Sequence, residues 1–318
     1  MSAAAEGGLR IATWNIEQSW ALFRLDGSPR GPAGASARDG VTVGQQSEAI
    51  ARVLHHMDAD AVLLVEAPDI GRRHDGVAAM TRFARDHALR CRAVLAGYRS
   101  HTRQEIMLLY DPDRLQARHD PGGAPGEAPR FDGTDEAGTE WSKPPLEVTV
   151  QGQGRVLRLI GVHAKSKWAG TAEGAQARGR AARDKQRAQF RWLRRRVDES
   201  LARGDSLIVL GDLNDDPALD AEERAAGGSA ADIVIGSGAT RLHDPCAEKA
   251  RGGPPPATAY WMEDGHRTGR LLDYILVSPD LAREEPLWHI LGGEGAEVDA
   301  ALRAASDHLP VLLQLPKA

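Results

Sequence analysis

Cysteine is nearly absent: the 318-residue chain holds two, Cys91 and Cys246, far apart in sequence. So few excludes a disulfide framework and a thiolate metal site, and reads each as a small core residue. No apolar stretch approaches the roughly 20 residues that a membrane span requires. The segment 1–8 lacks the charged start and long apolar core of a secretory signal, so a cytoplasmic protein with a flexible N-terminus is expected. Neither sign of charge dominates. With 40 Lys and Arg against 45 Asp and Glu, the chain has no global basic surface of the kind nucleic-acid binders carry, which leaves only a local basic patch open. No repeat of fixed period is present. Two-sheet α/β sandwiches reach this length as one unit, so a single domain over 1–318 is expected, and a monomer with it.

What the chain does contain is a series of apolar runs that end in polar groups. The run at 206–210 passes through Gly211 and presents Asp212 and Asn214. Side chains two apart leave the same face of an extended strand, so a carboxylate and a carboxamide can address one water or one phosphoryl oxygen. The competing reading is an Asx-type turn that satisfies its own backbone. The same pattern recurs. Residues 9–17 end in Asn15 and Glu17, 60–66 close on Glu66, and 156–165 end in His163 and Lys165. The strand at 271–277 carries the single acid Asp273, and Ser306, Asp307 and His308 precede a last strand at 309–315. Six strands or strand edges thus converge on one polar cluster.

In order, Trp14-Asn15-Ile16-Glu17, Glu66, His163-Ala164-Lys165-Ser166, Gly211-Asp212-Leu213-Asn214, Leu272-Asp273-Tyr274 and Ser306-Asp307-His308 resemble the endonuclease/exonuclease/phosphatase superfamily, the deoxyribonuclease I-like fold. The resemblance spans nearly the whole chain. It implies two packed mixed β-sheets flanked by helices, a four-layer α/β sandwich with its site at the loop end. The alternation of strands and helices supports α/β independently, without giving the strand order.

Glu17, Glu66 and Asp307 with the amide of Asn15 form an all-oxygen cluster, the ligand type of Mg²⁺, or of Mn²⁺ as a substitute, and not of zinc. By resemblance Glu66 binds the ion, with Asn15, Glu17 and Asp307 close to it or its waters. Glu17 stands where many relatives carry Asp or a shorter group, and nearby arginines could pair these acids instead. The second group is His163, Asp212, Asn214, Asp273 and His308, which can supply a base and hydrogen-bonding or charged partners for phosphodiester cleavage. The resemblance implies that Asp212 orients or deprotonates the water, Asn214 holds it or a phosphoryl oxygen, His163 and His308 contact the phosphate, and Asp273 orients His308. Lys165, Ser166 and Arg103 are the candidate substrate contacts. Trp14, Trp20, Trp168 and Trp261 lie beside these motifs, where an exposed ring could stack on a base; Trp14 reads as buried.

Helical spacing is expected at 46–57, at 77–88 and at 180–203, where Phe190, Leu193, Val197 and Leu201 form one stripe. Arg187, Arg191, Arg194 and Arg195 surround that stripe and read as a solvated outer face, with contact to a phosphate backbone as the sharper alternative. Gly- and Pro-rich loops at 28–44, 121–145 and 251–256 are expected to set substrate choice. The chain reads Asn15-Ile16-Glu17-Gln18 and Val65-Glu66-Ala67-Pro68, unlike enzymes of abasic-site repair. A nuclease acting on DNA or RNA is the leading expectation, and a phosphatase or phosphodiesterase of a small or lipid phosphate ester the alternative.

Overall fold

The structure, a computed structural model, describes residues 8–71, 73–121, 128–130, 140–167, 175–216, 228–244, 256–263 and 266–318. From the N-terminus the elements are β1 (Leu9–Asn15), α1 (Val43–Met57), β2 (Ala61–Ala67), a short pair β3 (Ile70–Gly71) and β4 (His74–Asp75), and α2 (Gly76–Asp86). Next come β5 (Ala93–Ala96), β6 (Glu105–Tyr110), β7 (Leu115–His119), β8 (Leu146–Gly152), β9 (Arg155–His163) and α3 (Ala175–Ala202). Then follow β10 (Leu207–Asp212), α4 (Ala230–Ile235), the hairpin β11 (Ala259–Glu263) and β12 (His266–Arg270), and β13 (Asp273–Val277). The chain closes with α5 (Pro279–Ala282), β14 (Leu287–Ile290), α6 (Ala296–Ala305) and β15 (Val311–Leu315).

Two mixed sheets carry the fold, a six-stranded one in the order β14-β15-β1-β2-β6-β5 and a five-stranded one in the order β13-β10-β9-β8-β7. In each, one parallel pair, β1 with β2 and β10 with β9, lies among antiparallel neighbours. Alternation along the strands builds the layers. In β2, Leu63 and Val65 face the other sheet, while Val62 and Leu64 face the helices α1, α2 and α6. On the far side, Phe190, Leu193 and Val197 of α3 cover Ile160, Val162 and Val209. The result is the expected four-layer sandwich of helix, sheet, sheet and helix. Gly161 in β9 sets the sheet spacing, because a Cβ there would stand 2.5 Å from Leu63 Cδ1 of the other sheet.

The expected helices all form, each starting earlier than its apolar stripe. Thr42 and Gln45 close a capping box on α1, with Gln45 N donating to Thr42 Oγ1 at 3.2 Å and Thr42 N to Gln45 Oε1 at 2.9 Å, a device worth about 1 kcal/mol. That cap fixes Gln46, whose Nε2 donates to the carbonyls of Glu17 (3.2 Å) and Ala305 (3.0 Å) and so braces the turn after β1. On α3 the arginines divide. Arg194 is not solvated: its guanidinium donates to the carbonyls of Val234, Ile235 and Thr240 at 3.0–3.1 Å and caps the end of α4. Arg187 donates to Gly228 O at 3.4 Å, whereas Arg191 and Arg195 are exposed. Cys91 is a buried core residue whose thiol burial pushes up to about 12. Cys246 and Trp168 lie outside the described residues, as do parts of the loops at 121–145 and 251–256. No described helix is long and apolar enough to cross a membrane.

Candidate active site

Sheet register assembles half of the site. β10 lies between β9 and β13, so Asp212 stands directly beside His163 on one side and Asp273 on the other. Gly211 makes this row possible. Its φ is +130°, and a Cβ there would meet Val162 O at 2.1 Å, so only glycine lets β10 approach β9 this closely one residue before the carboxylate. The six-stranded sheet contributes Asn15 at the end of β1 and Glu66 at a β-bulge between Val65 and Ala67, where its φ of +61° takes it out of the ladder. Asn15 joins the halves. Its Nδ2 donates to Asp212 Oδ2 at 3.2 Å and lies 3.5 Å from Glu66 Oε1.

The two-residue spacing of the polar pairs works through turns, not through the pleat. β10 ends at Asp212, and Asn214 is left-handed with φ +51°. Asn214 N donates to Asp212 Oδ1 at 2.8 Å and Nδ2 to Oδ2 at 3.1 Å, so the Asx turn itself brings the amide onto the carboxylate. β1 ends the same way: Glu17 has φ +42°, and its N–H donates to Asn15 Oδ1 at 3.1 Å. Both sheets thus end one central strand in a left-handed turn that folds the second polar residue back over the first.

His308 enters from the segment before β15, held by Ser306 Oγ, which accepts from His308 N (3.0 Å) and donates to Asn15 O (2.7 Å). Trp14 is fully buried and donates Nε1–H to His308 O at 3.0 Å, which gives it a structural role and not a stacking one. His308 Nδ1 meets Asp273 Oδ2 at 2.7 Å. Burial works against the imidazolium, but Asp273, Asp212 and Asp307 outweigh it and raise the pKa to about 10. His163 is the reverse: burial, helped by the charges of Lys143 and His308, holds it well below its ordinary range and therefore neutral. Its Nε2 stands 3.6 Å from Asp212 Oδ2 and 3.9 Å from Glu66 Oε1, too far for hydrogen bonds. Burial and the adjacent Asp273 carboxylate raise Asp212 to about 7, against the pull of His308, Lys143 and the Asn214 amide.

Lys143 was not singled out by sequence reasoning. It is half-buried in the loop before β8, where the Asp212 and Glu66 carboxylates act on it, and burial brings its ammonium down to about 8. Its one sequence signal is a lysine ahead of Pro144-Pro145 at the start of an alternating strand. Lys165 is half-buried, donates its N–H to Gln189 Oε1 at 2.9 Å, and turns its Nζ to Ser166 O at 3.1 Å. Burial and the neighbouring Lys185 lower its pKa. Arg103 is left-handed and exposed, 6.0 Å above the Trp20 ring, in a cleft beyond Glu66.

For a metal, the donor chemistry fits. Glu66, Asn15 and Asp307 offer oxygen only, the choice of a hard divalent cation. Glu66 Oε2 is anchored by Gln18 N at 2.8 Å, which leaves Oε1 facing the site. Glu17 is engaged differently: Arg38 pairs with its Oε2, which also accepts from Asp307 N at 3.0 Å. Burial and the Asp307 carboxylate raise the Glu17 pKa even so, the mark of acids crowded beyond what Arg38 compensates. Asp212, Asp273 and His308 form a second group with ligand atoms within 4.8 Å of one another that could hold an ion. The proton carried by His308 competes with that use.

A sandwich of two mixed sheets with acids, amides and histidines at its strand ends defines a phosphate-ester hydrolase class. The chain belongs to the Endonuclease/Exonuclease/phosphatase family, whose model matches residues 12–308. Its fold is that of D. rerio TDP2 complexed with a single-strand DNA product, at 14% identity and TM-score 0.58 over 98% of this chain and 100% of that one. It is similar to the human Nocturnin catalytic domain, at 13% identity and TM-score 0.54, covering 99% and 97% of the two chains. It is also similar to a Bacteroides thetaiotaomicron mannosyl-6-phosphatase, at 15% identity and TM-score 0.51, covering 97% and 99%. No curated protein sequence matches significantly.

Proposed function

We propose that the chain is a divalent-metal-dependent phosphodiesterase that hydrolyses nucleic acid by in-line attack of water. The observation that carries this reading is the row His163, Asp212, Asp273 with His308 seated on Asp273 at 2.7 Å. It sets a carboxyl group that burial and Asp273 raise to about 7 beside one imidazole whose charged form the surrounding carboxylates favour and one held neutral by burial. Asp212 takes the proton of the attacking water, a task for which a pKa near the working pH is best suited. Asn214 holds that water through its amide. His308 and Lys143 meet the negative charge that grows on the phosphoryl oxygens, and His163 donates a hydrogen bond as a neutral ring. The new P–O bond forms as the ester oxygen leaves on the opposite side.

Glu66, Asn15 and Asp307, with Glu17 behind them, would hold Mg²⁺ or Mn²⁺, which when bound polarises the phosphate and offsets leaving-group charge. Lys165, Ser166 and Arg103 serve substrate binding. A small phosphate ester is the second reading, favoured by the near-neutral composition and by the sugar phosphatase among the similar folds. A panel of single- and double-stranded DNA, RNA and small phosphomonoesters, each with Mg²⁺ or Mn²⁺, decides between them. Cleavage of nucleic acid that weakens steeply with salt is expected. Salt-insensitive turnover of phosphomonoesters with no DNA or RNA cleavage would transfer the assignment to the second reading.

A further inference from the structure

A cleft of about 300 Å³ opens immediately beyond the metal-side residues, at the lower end of the size range of small-molecule sites. It begins where Gln18 N and Ser19 Oγ bind Glu66, because Trp20 and Pro68 are the next lining residues along each chain segment. Trp20 forms one wall and is half-buried, so part of its indole face is open to the cleft. Arg103 stands over the ring at 6.0 Å, the outer limit of cation–π contact, whereas Arg267 sits at 3.9 Å on Tyr260 elsewhere in the chain. The guanidinium therefore stands off the indole face, at the edge of contact with it. At the back of the cleft His74 is held by Asp69, its Nδ1 against the buried carboxylate.

We infer that this cleft is a base-binding subsite for the nucleotide next to the scissile phosphate: the base lies between Trp20 and Arg103, with His74 at the back of the cleft. The inference rests on the nucleic-acid reading above and names the part of the substrate that the cleft takes. Stacking on an indole is sequence-tolerant, because every base has a π-face. Trp20 and Arg103 bind substrate here.

The test uses the full chain and two readouts. In chelator, quenching of 2-aminopurine riboside 5′-monophosphate reports binding without turnover. With Mg²⁺, the ratio of kcat/KM for the p-nitrophenyl ester of adenosine 5′-phosphate to that for bis(p-nitrophenyl) phosphate reports use of the base. Saturable quenching is expected, and Trp20→Ala should weaken it by about 5- to 150-fold and lower the ratio similarly, the range for losing one base–aromatic stack. Trp20→Phe, which keeps a ring and the fold, should fall between, as should Arg103→Ala. A 2-aminopurine at the end of a short oligonucleotide that binds at least as tightly as the free nucleotide assigns the site to a strand, and weaker binding assigns it to a mononucleotide. Quenching that does not saturate, or that Trp20→Ala and Arg103→Ala leave unchanged, overturns the subsite. Turnover of both esters at an unaltered ratio in every variant overturns it too and spares the phosphodiesterase reading. Quenching that responds to the variants while neither ester is hydrolysed does the opposite.

Discussion

His308 Nδ1 lies 2.7 Å from Asp273 Oδ2, and this one contact ties the segment before β15, on the six-stranded sheet, to the first residue of β13 on the other. Asp273 has no exposure, and its Oδ1 has no hydrogen-bond partner among the described residues, so its carboxylate is committed to the imidazole. His308→Ala is expected to reduce kcat by about 10²- to 10⁴-fold, the range for one positioned acid–base or charge-stabilising group. Asp273→Asn should cause a loss of the same kind, because it removes the charge that favours the imidazolium. The effects should not multiply. Kinetics of the double variant close to those of His308→Ala alone would show one unit, and a multiplicative loss would assign Asp273 to some other partner.

Glu66 sits at a bulge with φ +61°, outside the strand ladder, and contributes oxygens to the site more than contacts to the core. Glu66→Gln keeps the shape and the acceptor for Gln18 N while removing the charge. Second-layer groups around a metal are worth about 10- to 100-fold in affinity, so loss of a direct ligand should weaken Mn²⁺ binding by at least about 100-fold. Calorimetric titration of the metal measures this, and thermal unfolding checks that the fold persists. EDTA should abolish turnover of the parent chain and Mg²⁺ or Mn²⁺ restore it; full activity in chelator would refute metal dependence.

Lys143 lies in the loop before β8, directly ahead of the Pro144-Pro145 pair that leads into the strand, so its backbone is restricted where it enters the site. Burial lowers it to about 8, yet the Asp212 and Glu66 carboxylates keep the charged form favourable. Lys143→Met should reduce kcat/KM by about 10²-fold, comparable to removing one preorganised charge-stabilising donor. Lys143→Arg should restore part of it. Stability should hold or rise in Lys143→Met, since the substitution relieves a desolvated charge. Activity of Lys143→Met within threefold of the parent would remove Lys143 from the site.

The strand-end chemistry was legible in the sequence because its carriers are continuous apolar runs, and a run closed by Asp212, Glu66 or Asn15 can only place that group at a strand terminus. The edge strands β5, β7 and β14 were not legible. β7 interleaves Gln116, Arg118 and His119 with few apolar residues, and β5 and β14 are four residues long, below what a period of two can declare. Pairing across distance was equally hidden. The sequence offered an arginine partner for these acids without naming Arg38, and nothing near Lys143 announces Asp212, since Arg38 and Lys143 both lie in loops whose course the strand pattern does not give. The same-face argument for Asp212 and Asn214 named the right pair, whereas the structure joins them by the competing Asx turn, because Asn214 tolerates the left-handed backbone that an extended strand would exclude.

Glu105, the first residue of β6, is 1% exposed, and its carboxylate accepts from Ser100 N at 2.8 Å and, through the other oxygen, from Ile70 N at 3.3 Å. Burial nevertheless raises its pKa from 4.5 to about 7, with those two N–H groups opposing and Asp69 adding to the rise. The folded chain therefore binds more protons than the unfolded one between these values, and stability must fall as pH increases through that window. Each pH unit of the window is worth at most about 1.4 kcal/mol for a single group. Glu105→Gln holds the neutral form at every pH. Its unfolding free energy relative to the parent should improve steadily from pH 5 to pH 8 and then level off, by an amount on the order of a few kcal/mol. Urea denaturation of both proteins across that range reads the difference directly, which cancels the titration of shared groups that do not interact with Glu105 and leaves the Glu105–Asp69 pair. A difference that stays flat with pH, or that moves against the variant as pH rises, would show that Ser100 and Ile70 hold Glu105 ionised in the folded chain.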